Sequence, residues 1–305
     1  MRPKQFWCVL LASVAILSAP CSASVLRVVT TTADLASIAA EIGGDRIGVL
    51  SIARGYQDPH FVDPKPSYLL DLRRADLLIA VGLELEVGWL PPLLQQARNP
   101  KLLKPEGYLD ASSGAEILER PQQVTRAMGD VHPFGNPHFW LDPENGRAIA
   151  RAIAAKLSQL DPAGKSLYEN NLTTFESKLT EKEKEWATKM APYAGTEVVT
   201  YHKSWPNFLK SFRLVAAGYI EPLPGIPPSP AHTLEIINLI GSKKIPLILV
   251  EPFFDSKTPN FIAAKTGAKV LMFYPSVGGI PQIKDYFGLF DYDIDLFVNG
   301  MKAKK

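Results

Sequence analysis

The stretch VLRVVTTTADLASIAAEIGG, residues 25–44, decides the fold class. Its first eight residues are rich in β-branched side chains, which suit a pleated surface, and read as one strand. From Ala33 onward, Leu35, Ile38, Ala39 and Ile42 recur at helical spacing until Gly43 and Gly44 end the run. A strand passing straight into an amphipathic helix is the repeating unit of a parallel sheet covered on both faces.

Outward from this stretch the unit repeats. Ile47 to Ile52 reads as strand, Pro66 to Arg74 as helix, Leu77 to Val81 as strand closed by Gly82, and Trp89 to Ala97 as an apolar helix. A second series begins after residue 195, with strands at Glu197 to Tyr201, Leu214 to Ile220, Pro246 to Glu251 and Lys269 to Phe273, each followed by a helical segment. Between the series, Glu144 to Leu157 and Ala163 to Met190 read as helices. The second has no Pro or Gly after Gly164, and Leu167, Leu172, Phe175, Leu179, Trp186 and Met190 are spaced for one continuous helix with a partly buried stripe. Roughly 28 residues at ~1.5 Å each span ~40 Å. The charge run from Glu181 to Glu185 reads as a solvated helix face.

The expectation is therefore an α/β protein of two βα lobes with parallel sheets, joined by one long rigid helix. Residues 1–23 read as a signal peptide, 24–160 as the N-terminal lobe, 161–192 as the linking helix and 193–305 as the C-terminal lobe. At 305 residues, 46% hydrophobic and 21% charged, the chain has enough apolar material for two ordinary domains.

The leader sets the compartment. Arg2 and Lys4 precede an apolar run from Phe6 to Leu17, and small residues up to Ala23 supply a cleavage site. The run is too short for a membrane span, so the expected product is a periplasmic protein cut after Ala23. Both cysteines, Cys8 and Cys21, lie in that leader, which leaves the mature chain without disulfides or cysteine chemistry. Pro20 directly before Cys21 fits lipid attachment poorly. Without Arg2 and Lys4, the 33 basic residues fall to 31, equal to the 31 acidic ones. A nucleic-acid partner is therefore not expected, because such binding needs a basic excess on one face.

Five histidines occur, at 60, 132, 138, 202 and 232. His60 lies in DPHFVDPKPS, His138 in NPHFWLDP, and His202 directly follows the strand EVVTY. These are strand ends and Pro-bounded loops, where α/β proteins place ligand groups and where a fixed φ lowers the entropy lost on ordering. Their spacing matches no local zinc motif.

Together the segments DPHFVDPKPS, NPHFWLDP, YHKSWPNF and IEPLPGIPPSPAH resemble, in order and surroundings, the periplasmic zinc- and manganese-binding proteins of ABC importers, from about Val25 to the C-terminus. The resemblance implies one metal in the inter-lobe cleft, held by His60, His138 and His202, and delivery of that metal to the membrane permease of an ABC transporter by a monomeric binding protein. Three imidazoles suit Zn²⁺, whereas Mn²⁺ favours oxygen and higher coordination and is the less favoured cargo. The family's acidic fourth ligand aligns with Ser276; Glu251, Asp285 or a water are the other readings of that position.

Asp58, Asp63 and Asp142 are candidates to orient the imidazoles, with capping of the next helix as the alternative for Asp142. His132, with Asp130, stands where zinc-type relatives carry a long histidine-rich loop and is read as a surface residue. His232 is placed in the first turn of a helix, outside the site. Two rival functions remain open: a secreted zinc enzyme, which lacks a general base beside these histidines, and a binder of an organic ligand using Trp140, Trp205, Phe134 and Tyr201. A surface-adhesin role draws no support from the residues themselves.

Overall fold

Leu77 to Ala80 is four apolar residues in succession, all buried, as a strand covered on both faces requires. In the computed structural model this segment is β3, in the sheet β2-β1-β3-β4 formed by Leu26–Thr30 (β1), Ile47–Ser51 (β2), β3 and Tyr108–Asp110 (β4). The structure describes residues 25–123, 129 and 132–302; the leader, both cysteines and Asp130 lie outside them. The second sheet repeats the order as β6-β5-β7-β8, from Glu197–Thr200 (β5), Val215–Tyr219 (β6), Leu247–Val250 (β7) and Lys269–Met272 (β8). Every pairing is parallel.

The strands end one or two residues inside the bounds read from the sequence, because ladder pairing rather than side-chain pattern sets the ends. β4 went unread: three residues are too few to show a period. The helices are Ala33–Gly43 (α1), Pro66–Arg74 (α2), Leu90–Ala97 (α3), Pro143–Leu160 (α4), Lys165–Met190 (α5), Pro206–Ser211 (α6), Pro230–Lys243 (α7), Lys257–Thr266 (α8) and Tyr286–Lys302 (α9). Helix α2 begins with Pro at its first position and ends on Arg73 and Arg74, both favourable to its dipole. Among the described residues no helix is long and apolar enough to cross a membrane.

One hydrophobic cluster runs through α1, α4, α5 and α9 and reaches both sheets. Separate clusters lie under α2 and α3 in the first lobe and under α7 and α8 in the second. At 26 residues, α5 is about 40 Å long. It buries Phe175, Leu179 and Trp186, the last with its ring 4.9 Å from Phe290 and its Nε1 donating to Asp291 at 2.7 Å. The charge run on α5 is only partly a solvated face: Lys182 pairs with Asp291 at 2.9 Å and Glu183 with Arg147 at 2.6 Å. Two sheets sharing one close-packed core resist large opening, since separating them would expose that core to water.

Candidate metal centre

Three loops converge where the lobes face each other. The first leaves β2. In it, the Asp58 carboxylate accepts the His60 backbone N–H at 2.9 Å and lies 2.6 Å from the His60 Nδ1, while Trp89 Nε1 donates to the Pro59 carbonyl at 2.9 Å and pins the loop to α3. The imidazole Nδ1–H is thereby directed to a carboxylate, which leaves Nε2 with its lone pair free.

The second loop precedes α4. Asn136 is buried; its Oδ1 accepts the His138 N–H at 2.9 Å, and its Nδ2 donates to the Lys203 carbonyl at 2.8 Å and to Glu119 at 2.9 Å. One amide thus ties the His138 loop to the residue beside His202. Asp142 caps α4 by accepting the Glu144 N–H at 2.9 Å, so its role is the capping one, and Asp63 is exposed. Trp140 crosses the lobe boundary, donating from Nε1 to the Pro275 carbonyl at 2.8 Å.

The third loop leaves β5. Glu221, just past β6, brings Oε2 to 2.5 Å from His202 Nδ1 and accepts the Gly225 N–H on Oε1 at 2.9 Å. Gly225 has φ +77°, the left-handed region that favours glycine, and that turn aims its N–H back at the carboxylate. Glu221 was not assigned from the sequence, although it is the second residue of the quoted segment IEPLPGIPPSPAH; its distance of 19 residues from His202 hides the pairing.

The rings of His60, His138 and His202 lie 5.1, 5.5 and 5.6 Å apart, centroid to centroid. One nitrogen of each lies within 4.8 Å of the others. His138 is buried with neither ring nitrogen hydrogen-bonded. Burial holds its pKa well below 6.5, with His60 and His202 adding to the effect, so it is a neutral donor. A cavity of about 590 Å³, lined by residues including Asp58, His60, His132, His202, Glu221 and Phe254, opens beside the cluster.

The residues read as alternatives for the fourth position are placed differently. Ser276 Oγ donates to Asp34 Oδ2 at 2.7 Å, and Asp285 caps α9 by accepting the Gly288 N–H at 2.7 Å, so both are engaged elsewhere. Glu251 is fully buried beyond β7, with Ser204 and Trp205 beside it and neither oxygen in a well-formed hydrogen bond; burial pushes its pKa up to about 8, and nearby Asp58 adds to the rise. His132 departs from the surface reading: its Nε2 is 3.2 Å from the His60 Nε2, and burial lowers its pKa to about 4. His232 sits in the first turn of α7, with its ring on the Tyr219 carbonyl and Glu235, as expected. Trp140, Trp205 and Tyr201 are buried, and Phe134 is exposed.

Residues 28–300 match the family described as ZnuA, zinc-uptake complex component A, periplasmic. The chain belongs to that family. Over 286 residues it is 28% identical to the metal ABC transporter substrate-binding lipoprotein ScbA of Streptococcus cristatus, covering 91% of this chain and 89% of that one. It is 27% identical over 289 residues to the manganese ABC transporter substrate-binding lipoprotein PsaA of Streptococcus pneumoniae, covering 93% and 91%. A crystal structure of ZnuA superposes with TM-score 0.77 at 26% identity, covering 90% of this chain and 99% of that one. The chain is thus a substrate-binding protein of a metal ABC transporter, of an extracytoplasmic class that binds rather than catalyses. The relatives are named as lipoproteins, which weighs against the reading of Cys21 as unmodified.

Proposed function

We propose that this chain captures Zn²⁺ in the periplasm and hands it to the membrane permease of an ABC importer, with His60, His138 and His202 as the metal ligands. The observation that carries the reading is the His138 imidazole, buried with both nitrogens unpartnered and facing two other rings. A buried polar group without a hydrogen bond costs free energy, and an ion supplies the missing partner. Asp58 and Glu221 support the same reading by engaging Nδ1 of His60 and His202 and leaving the opposite nitrogens free to ligate.

Three neutral imidazoles favour Zn²⁺, which takes nitrogen donors at ~2.0–2.1 Å in a tetrahedron. A second reading, Mn²⁺, draws on the names of relatives such as PsaA and on the buried Glu251 carboxyl close to Asp58. Equilibrium dialysis of metal-stripped protein against equal Zn²⁺ and Mn²⁺, with bound metal counted by mass spectrometry, decides between them. One zinc per chain in the wild type and none in His138→Ala is the expected result; preferential manganese retention would overturn the zinc assignment.

A further inference from the structure

We propose that Glu84 is the entry carboxylate of this centre, a negative charge on the wall of the cleft that speeds capture of the divalent cation without ligating it. The inference rests on the preceding reading of His60, His138 and His202 as the ligands.

The cavity of about 590 Å³ beside the three rings is lined by the carboxylates of Asp58, Glu84 and Glu221 and, among the described residues, by no Lys or Arg. Two of these carboxylates are committed, Asp58 to the His60 Nδ1 and Glu221 to the His202 Nδ1. The third, Glu84, is exposed, and among the described residues its side chain forms no ion pair or hydrogen bond. Phe61, Val87, Pro227 and Phe254 supply apolar walls around it. A cleft of one charge sign between walls of low dielectric focuses its field and raises the rate at which an ion of opposite sign enters.

The backbone explains why a carboxylate is held at this place. Gly82, Leu83 and Glu84 have φ of +84°, +55° and +65°, three successive left-handed residues of which only the first is a glycine. Residues with a Cβ adopt that form at a cost, and it persists where the surroundings over-determine it. Here the buried Glu86 does so, accepting the Val81 N–H at 2.7 Å and the Gly82 N–H at 3.2 Å, while buried Leu85 anchors the residue after the turn. Trp89, just before α3, donates to the Pro59 carbonyl and so ties the end of this segment to the loop that bears His60. Glu84 also borders a second cavity, of about 740 Å³, whose wall carries Arg120 beside Glu86 and Asp110. The purely acidic wall is therefore confined to the cavity that leads to the histidines.

A charge at an entrance acts differently from a ligand. It changes the association rate and its salt dependence, whereas loss of an inner, desolvated partner changes dissociation. It responds to the charge of the ion alone and draws no distinction between Zn²⁺ and Mn²⁺. For a divalent cation passing roughly 8 Å from one carboxylate in water, Coulomb's law corresponds to about a fivefold change in rate.

The test is stopped-flow mixing of metal-stripped mature protein with Zn²⁺ or Mn²⁺, followed by tryptophan fluorescence, since the Trp140 ring lies 5.2 Å from that of His138. Dissociation is measured separately by transfer of the ion to an excess of chelating dye. Wild type is compared with Glu84→Gln, Glu84→Lys and, as a control of equal charge change outside the cavity, Glu106→Gln, at ionic strengths from about 0.01 to about 1 M, over which the screening length falls from ~30 Å to ~3 Å. At low salt Glu84→Gln is expected to slow association of both ions by roughly two- to sixfold and Glu84→Lys by more, with the differences vanishing at high salt and dissociation rates unchanged. An unchanged association rate in Glu84→Gln, slowing that persists at high salt, faster dissociation of the same size, or equal slowing in Glu106→Gln would each overturn the proposal. A wild type that prefers Mn²⁺, with both ions slowed alike in Glu84→Gln, would overturn the zinc assignment alone, and a wild type that takes up neither ion would overturn both.

Discussion

The carboxylate of Glu221 lies 2.5 Å from the His202 Nδ1, joining the loop after β6 to the loop after β5 inside the second lobe. Its second oxygen is held by Gly225, so the carboxylate has one available orientation and imposes it on the ring. Replacing Glu221 with Gln removes the carboxylate that fixes the tautomer and orientation of the imidazole. Zinc affinity should fall by roughly 10–100-fold with the fold intact. Competition against a chelating dye, with circular dichroism as the control, measures it; unchanged affinity would mean that His202 is not a ligand.

Asn136 holds the His138 N–H and the Glu119 carboxylate within its own lobe and the Lys203 carbonyl across the cleft. In Asn136→Ala the buried His138 N–H and one acceptor site on Lys203 lose their partner, at a cost of about 1–3 kcal/mol. Denaturant unfolding of the metal-free protein should show this loss. A midpoint equal to the wild type would show that the contact between loops contributes no stability.

Gly146, in the first turn of α4, packs directly against the Tyr286 hydroxyl, which donates to the Trp140 carbonyl at 2.6 Å. Alanine is ordinarily the better helix former by about 1 kcal/mol. Here the added methyl has to displace the tyrosine, and overpacking of this kind costs about 1–3 kcal/mol. Gly146→Ala is therefore expected to be destabilised, and a raised melting temperature would refute the packing argument.

Asp34, at the start of α1, accepts the Val277 N–H at 2.9 Å and the Ser276 hydroxyl at 2.7 Å, linking the N-terminal lobe to the loop after β8. Burial pushes its pKa up to about 7, against the opposing pull of those two hydrogen bonds. The folded pKa exceeds the unfolded one, near 3.9, so folding binds a proton. That contribution is fully present below about pH 4 and is lost as pH rises through 7. Asp34→Asn keeps an acceptor for Val277 and cannot ionise. Its unfolding free energy, measured without metal, should depend less steeply on pH between about 4 and 8, by on the order of a few kcal/mol over the range. Parallel pH curves for variant and wild type would rule this out.

Local pattern made much of the architecture legible in residues 25–302. The turn from period 2 to period 3.6 at Ala33, the unbroken apolar strands at Leu77 and Leu247, and the Gly- and Pro-free run of α5 all report interactions within a few residues of each other. The quoted histidine segments carried the family resemblance for the same reason: each is short, and its proline and acidic neighbours act locally.

Contacts between distant residues were decided by the tertiary structure. The pairing of β4, the Glu221 carboxylate on His202, the engagement of Ser276 by Asp34 and the approach of His132 to His60 join residues from 19 to 242 positions apart. No periodicity encodes such distances. They follow from how two sheets pack about one shared core of α1, α4, α5 and α9, because that packing determines which loop ends meet. The sequence alone therefore determined the kinds of element and the donor chemistry available, and the packed core decided which donors face one another.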